Sequence, residues 1–159
     1  MSVCDDLRTA TFVNKEGFEV SCESLLDAGK NIGIYFSAHW CPPCRGFTPK
    51  LVETYTKLQK ANAPFEIIFV SSDSDEDSFK QYYGDMPWLA LPYSDRERKE
   101  SIATYYGVSG IPMLVILSPQ LKVINNNARS AVTSDPDGKS FPWGSGGGAG
   151  GAGGCCVIT

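Results

Sequence analysis

The run Ile32-Gly33-Ile34-Tyr35-Phe36-Ser37 is of strand length and almost wholly apolar. A strand that reads as a continuous apolar run has both faces covered, so its sheet needs a layer of structure on each side. Phe65 to Ser71 (FEIIFVS) and Pro112 to Leu117 (PMLVIL) are of the same kind. Amphipathic stretches separate them. From Cys41 to about Lys60, Phe47, Leu51, Tyr55 and Leu58 recur at spacings of three and four, the buried stripe of a helix. Pro49 lies inside it and predicts a kink, because it removes an amide donor and crowds the carbonyl of Arg45. Ser74 to Tyr83 and Arg96 to Tyr106 read as further helices, and Glu23 to Ala28 as a short one stopping at Gly29. Thr9 to Val13 and Glu19 to Ser21 flank a turn-like Asn14-Lys15-Glu16-Gly17 and read as an N-terminal β-hairpin. Lys122 to Ile124 reads as a last strand after the Ser118-Pro119-Gln120 turn. Buried strands alternating with amphipathic helices predict an α/β layer fold.

At 159 residues the chain suits one domain, long enough to bury a core that needs neither disulfides nor metal. Its 14 basic and 18 acidic residues leave a net charge of −4, which excludes the basic footprint of a nucleic-acid binder. Apolar runs fall short of the ~18 residues of a membrane span, and the first residues lack the apolar stretch of a secretory signal. The expectation is a cytoplasmic protein. A break in composition follows the body, since residues 144–154 (GSGGGAGGAGG) hold 8 of the 16 glycines. These cannot pack and form a flexible linker with a reach of about 18 Å. The expected division is therefore a body over 1–143, a linker over 144–154 and a tail over 155–159.

The six cysteines fall as Cys4 and Cys22 alone, Cys41 and Cys44 as a CxxC, and Cys155 and Cys156 adjacent. In a reducing compartment such a CxxC is catalytic or metal-bound. Tetrahedral zinc takes four ligands, whereas this chain has no second CxxC and His39 is its single histidine, so no metal is expected. With Cys41 at the N-cap of the long helix, Pro42 and Pro43 occupy first-turn positions whose amides would be orphaned in any case. A helix N-terminus favours a thiolate. Cys41 is the candidate nucleophile, and Cys44, one turn in and less accessible, is the candidate resolving thiol. Attack of Cys41 on a substrate disulfide gives a mixed disulfide, and attack of Cys44 on Cys41 releases reduced substrate and leaves a Cys41–Cys44 disulfide.

Ile111-Pro112 follows Gly110 and opens a buried strand, where a cis proline would present a backbone edge for docking extended substrate. An ordinary trans proline at a strand start is the other reading. Trp40-Cys41-Pro42-Pro43-Cys44-Arg45 together with Gly110-Ile111-Pro112 resembles the thioredoxin superfamily, and the WCPPC form resembles tryparedoxins and nucleoredoxins. Residues 35–45 (YFSAHWCPPCR), 65–72 (FEIIFVSS) and 78–93 (SFKQYYGDMPWLALPY), with Asp135-Pro136 and Phe141-Pro142-Trp143, extend the likeness over nearly the whole body. The resemblance implies a thioredoxin fold with a central mixed sheet flanked by helices, a cis bond at Pro112, and the roles above for Cys41 and Cys44. It also implies a redox-active Cys41–Cys44 disulfide with no bound cofactor, recharged by an external reductase or a low-molecular-weight dithiol. Disulfide-containing proteins are the expected partners, peroxiredoxins or signalling proteins among them. A redox-sensitive binding module, whose dithiol gates a partner rather than turning over, is the alternative.

The departures from that family are informative. Where thioredoxins carry a buried carboxylate six residues ahead of the first cysteine, this chain has Tyr35. Where tryparedoxins carry a tryptophan and, two places on, a glutamate, it has Ser72 and Ser74, and it is more similar to nucleoredoxin. Trp40 is expected both to cover apolar surface and to lie beside the nucleophile. His39, next to the site, reads as a surface residue, with tuning of Cys41 as the other reading. Asp73, Asp75, Glu76 and Asp77 read as dipole partners at the start of the Ser74 helix. Arg129 matches a tryparedoxin arginine near the dithiol face, against a plain solvated charge. Cys4 and Cys22 read as structural. The tail Cys156-Val157-Ile158-Thr159 has the C-a-a-X shape of a prenylation signal, with Cys155 available for palmitoylation and membrane association, against a plain disordered tail.

Overall fold

The computed structural model describes residues 7–144. Cys4, the linker from Ser145 and the tail with Cys155 and Cys156 lie outside the described residues. The chain runs β1 (Thr11–Val13), β2 (Glu19–Ser21), α1 (Cys22–Asp27), β3 (Asn31–Ser37), α2 (Pro42–Lys60), β4 (Phe65–Ser71) and α3 (Glu76–Tyr83). It continues through β5 (Leu89–Ala90), α4 (Arg96–Tyr105), β6 (Met113–Leu117), β7 (Val123–Asn125) and α5 (Ala128–Ser134).

Among the described residues the strands form one sheet of seven in the order β2-β1-β5-β4-β3-β6-β7. It is mixed: β3 runs parallel to β4 and antiparallel to β6. The Ile32–Ser37 run thus lies inside the sheet, with β4 on one side and β6 on the other. Its alternation feeds two cores. Ile32, Ile34 and Phe36 point to one face, with Ile68, Val70, Val115 and Leu117, under Leu25 and Leu26 of α1 and Ile102 of α4. Tyr35 points to the other, with Ile67, Phe69, Leu114 and Ile116, under Phe47, Leu51 and Leu58 of α2 and Phe79 of α3. Each fully buried aliphatic or aromatic side chain contributes about 1.5–3 kcal/mol. Gly33 interrupts the strand for a packing reason: a Cβ there would lie 3.1 Å from the Phe65 ring.

Three elements differ from the expectation. α3 begins at Glu76, not Ser74, with Asp75 as its N-cap accepting from Ser78 N at 2.8 Å. α5 and the two-residue β5 carry too few apolar positions for periodicity to reveal them.

Candidate active site

Topology brings three segments together beyond the carboxyl end of β3. Ser37 pairs with Ser71 of β4, and Phe36 with Met113 at the start of β6. The turn after β3, the loop after β4 and the Ile111-Pro112 segment before β6 therefore converge. Cys41 is the N-cap of α2 in extended backbone, with Pro42 and Pro43 filling the first positions. Its Sγ accepts from the Cys44 amide at 3.4 Å and lies 3.8 Å from the Ile111 carbonyl oxygen, to which the thiol donates. The Ile111–Pro112 peptide is cis.

Cys41 and Cys44 are both free thiols. Cys41 retains 5% of its surface and Cys44 none, so an incoming disulfide meets Cys41 first. Burial pushes the Cys44 thiol up to about 11, and its contact with Cys41 pushes the same way, whereas the Ser37 hydroxyl and Ala38 backbone oppose them. Cys44 is therefore held as a neutral thiol behind the nucleophile. Cys22, the first residue of α1, is buried and is likewise raised to about 11, chiefly by burial.

Trp40 is 60% exposed, and its indole N–H donates to Ser72 O at 3.1 Å. With Ser72, Ser109, Gly110 and Ile111 it lines a groove of about 360 Å³. Arg129 is exposed and shares a second groove, of about 370 Å³, with Ile111, Pro112, Asn126 and Asn127. A third, of about 380 Å³, is lined by His39, Arg45, Thr48, Pro49, Tyr82 and Asp85. His39 is half-buried, its ring 5.6 Å from that of Tyr82.

Asp73 corrects the helix-dipole reading. It is 4% exposed and outside α3, and it accepts from the His39 amide at 2.7 Å and the Ser71 hydroxyl at 2.6 Å. The dipole role remains with Asp75, Glu76 and Asp77. Asp73 instead ties the turn carrying Trp40 to the end of β4. Sequence reading also missed a cluster of buried hydroxyls behind the dithiol. Tyr35 OH lies 2.6 Å from Thr48 Oγ1, Thr48 Oγ1 lies 2.6 Å from Tyr82 OH, and Tyr82 OH lies 2.6 Å from Ser37 Oγ. Tyr35, where thioredoxins have the carboxylate, is its inner end. The four residues come from β3, α2 and α3, so no local spacing announces them.

The thioredoxin-like family model matches residues 29–123. Bovine nucleoredoxin is 53% identical over 123 residues, 77% of this chain. The chain spans only 28% of that protein's length. Tryparedoxin of Trypanosoma brucei brucei is 45% identical over 135 residues, covering 84% of this chain and 92% of the tryparedoxin. The solved tryparedoxin from Trypanosoma brucei superposes with a TM-score of 0.81 at 43% identity, covering 91% of this chain and 99% of that one. Tryparedoxin II complexed with glutathionylspermidine gives 0.78 at 40%, covering 85% and 92%. A family model over more than half the chain, and a tryparedoxin matched almost end to end, show that this chain belongs to the thioredoxin-like family, among its nucleoredoxins and tryparedoxins.

Proposed function

We propose that the chain is a thiol-disulfide oxidoreductase that reduces protein disulfides by dithiol exchange through Cys41 and Cys44. The observation that carries this reading is the asymmetry of the pair: Cys41 caps α2 at the surface edge with an amide on its sulfur, and Cys44 waits fully buried one turn behind. Cys41 attacks, its bond to the substrate sulfur forms as the substrate S–S bond breaks, and Cys44 displaces the reduced substrate. The cis Ile111–Pro112 segment and Trp40 flank the point of attack and offer a backbone edge and an indole face to an extended substrate. Arg129, beside Pro112, supplies a cation to the same surface.

Electrons come from an external reductase or a low-molecular-weight dithiol. The solved tryparedoxin II complexed with glutathionylspermidine, a low-molecular-weight monothiol, supports a small thiol as the donor class. Disulfide-bonded proteins of the cytoplasm or nucleus are the substrates, since a reducing compartment keeps both cysteines as thiols between turnovers. The 60% exposure of Trp40 favours a second reading, a partner-binding face gated by the dithiol.

Steady-state reduction of a disulfide-bonded reporter protein by dithiothreitol separates the two. Many turnovers per molecule, lost in Cys41→Ser and Cys44→Ser with a trapped mixed disulfide in the latter, establish the reductase. A dithiol that cycles normally without turnover makes the protein a redox-gated binder.

A further inference from the structure

Trp40 is mostly exposed, so packing does little to hold its ring, and its direction rests on the bond from the indole N–H to Ser72 O at 3.1 Å. Ser72 lies just past the end of β4, where the ladder closes with a last bond from Ser72 N to Ser37 O at 2.9 Å. Beyond that point the main-chain carbonyls need partners from elsewhere. Over residues 71–73 a side chain takes each of them. Ser71 O accepts from Arg96 Nη1 at 3.0 Å, Ser72 O from Trp40, and Asp73 O from the Tyr93 hydroxyl at 2.9 Å. The carbonyls on either side of the one that Trp40 uses are therefore held by Arg96 and Tyr93.

Those two residues act as one unit. Arg96, the first residue of α4, also donates from Nε to Tyr93 O at 2.6 Å, and its Cζ lies 3.9 Å from the centroid of the Tyr93 ring. A planar guanidinium can hold two carbonyls from its edge while its face rests on an aromatic ring, which an ammonium cannot do. Peptide planes leave only two soft torsions per residue, so pinning the flanking carbonyls fixes the aim of the Ser72 carbonyl between them. The clamp also joins the two walls of the groove of about 360 Å³. Trp40 and Ser72 form one wall, and Lys99, Ala103 and Thr104 of α4 form the other. Arg96 belongs to the helix of the second wall and grips the strand end that carries the first.

We propose that Arg96 and Tyr93 are positioning residues for Trp40, setting the 71–73 segment so that the indole stands beside Cys41 in the orientation that receives a protein substrate. This rests on the oxidoreductase reading above. None of their bonds reaches Cys41 or Cys44, so their effect falls on the docking of large substrates and not on the thiol chemistry.

The test uses the full-length protein in two reactions. One is steady-state reduction of a disulfide-bonded reporter protein by dithiothreitol. The other is a single turnover of the reduced protein with a small aromatic disulfide whose released thiolate is coloured. Arg96→Gln is expected to raise KM for the reporter about tenfold, the scale of a lost hydrogen bond, while kcat and the small-disulfide rate stay within about twofold of the wild type. Arg96→Lys should match Arg96→Gln, because the charge without the fork cannot hold both carbonyls. Since Arg96 acts through Trp40, Arg96→Gln made on Trp40→Ala should add nothing to the rise in KM that Trp40→Ala causes alone. A purely structural role would lower the two reactions together and would add in full to Trp40→Ala. An unchanged KM for the reporter, an equal loss in both reactions, or full additivity overturns the proposal. Where Arg96→Gln does not fold, Tyr93→Phe, which keeps the ring under the guanidinium and removes only the bond to Asp73 O, decides by the same readings. Failure of the underlying reading looks different: the wild type would then not turn over the reporter, or Cys41→Ser would still do so.

Discussion

Asp73 is 4% exposed, and its side-chain oxygens accept from the His39 amide and the Ser71 hydroxyl. Asp73→Ala leaves both donors buried without an acceptor, so we expect a loss of about 2 kcal/mol in chemical denaturation. It also releases the turn before Cys41, and the rate of Cys41 alkylation should change with it. Trp40→Ala makes the opposite case. An indole 60% exposed adds little to stability, and the variant should unfold within about 0.5 kcal/mol of the wild type. Its rate with a protein disulfide should fall well below that with a small one, because the lost surface lies beside the point of attack. A protein-disulfide rate that matches the wild type would remove Trp40 from the docking face. Cys41 and Cys44 were legible in the sequence because their chemistry is local: a spacing, two prolines and a helix start. Asp73, Tyr82 and Thr48 were not, because each acts on a segment more than thirty residues away or on a partner in another element.

At the scale of elements, β3, α2, β4 and β6 announced themselves by apolar periodicity, whereas β5 pairs through only Ile68–Leu89 and Phe69–Ala90 with β4. Two residues have no period. α5 is short, with Ala128 and Val132 as its buried positions. The segment after α5 is held by specific contacts rather than by regular structure. Asp135 accepts from Lys139 N, Ser140 N and the Trp143 indole, and Asn125 donates to Trp143 O at 3.0 Å. Trp143 meets both Phe141 and Phe65 edge to face, and Phe141 lies tilted against Phe65. Those donors hold the Asp135 carboxyl below its usual range. Trp143→Ala should cost about 3–5 kcal/mol in denaturant unfolding, as for other buried aromatics, although Trp143 lies far along the chain from the dithiol. A loss below about 1 kcal/mol would show that this segment is not part of the core.

Taken whole, the molecule buries thiols and phenols in numbers that matter at alkaline pH. Burial raises Cys22 and Cys44 from the ordinary thiol value of 9.0 to about 11 and raises Tyr35, Tyr55, Tyr82 and Tyr83 above their ordinary 10.0. A group whose folded value lies above its unfolded one contributes stability that is complete below the unfolded value and lost as pH climbs through the folded one. Unfolding free energy of the reduced protein should therefore hold up to about pH 9 and fall steeply beyond it. A flat profile to pH 11 would contradict the burial of these groups. One further property of the whole rests on the two prolines that begin α2. A helix start ordinarily aims several free amides at its cap, and each would favour a thiolate there. Pro42 and Pro43 withdraw two of them, leaving Cys41 the amide of Cys44. Fewer donors give less preference for the dithiol over the disulfide. We therefore expect a couple near the electron-giving end of the ~−270 to −120 mV range of such proteins, measured by equilibration against glutathione, and a shift towards the oxidising end when the two prolines are replaced by residues that restore the amides.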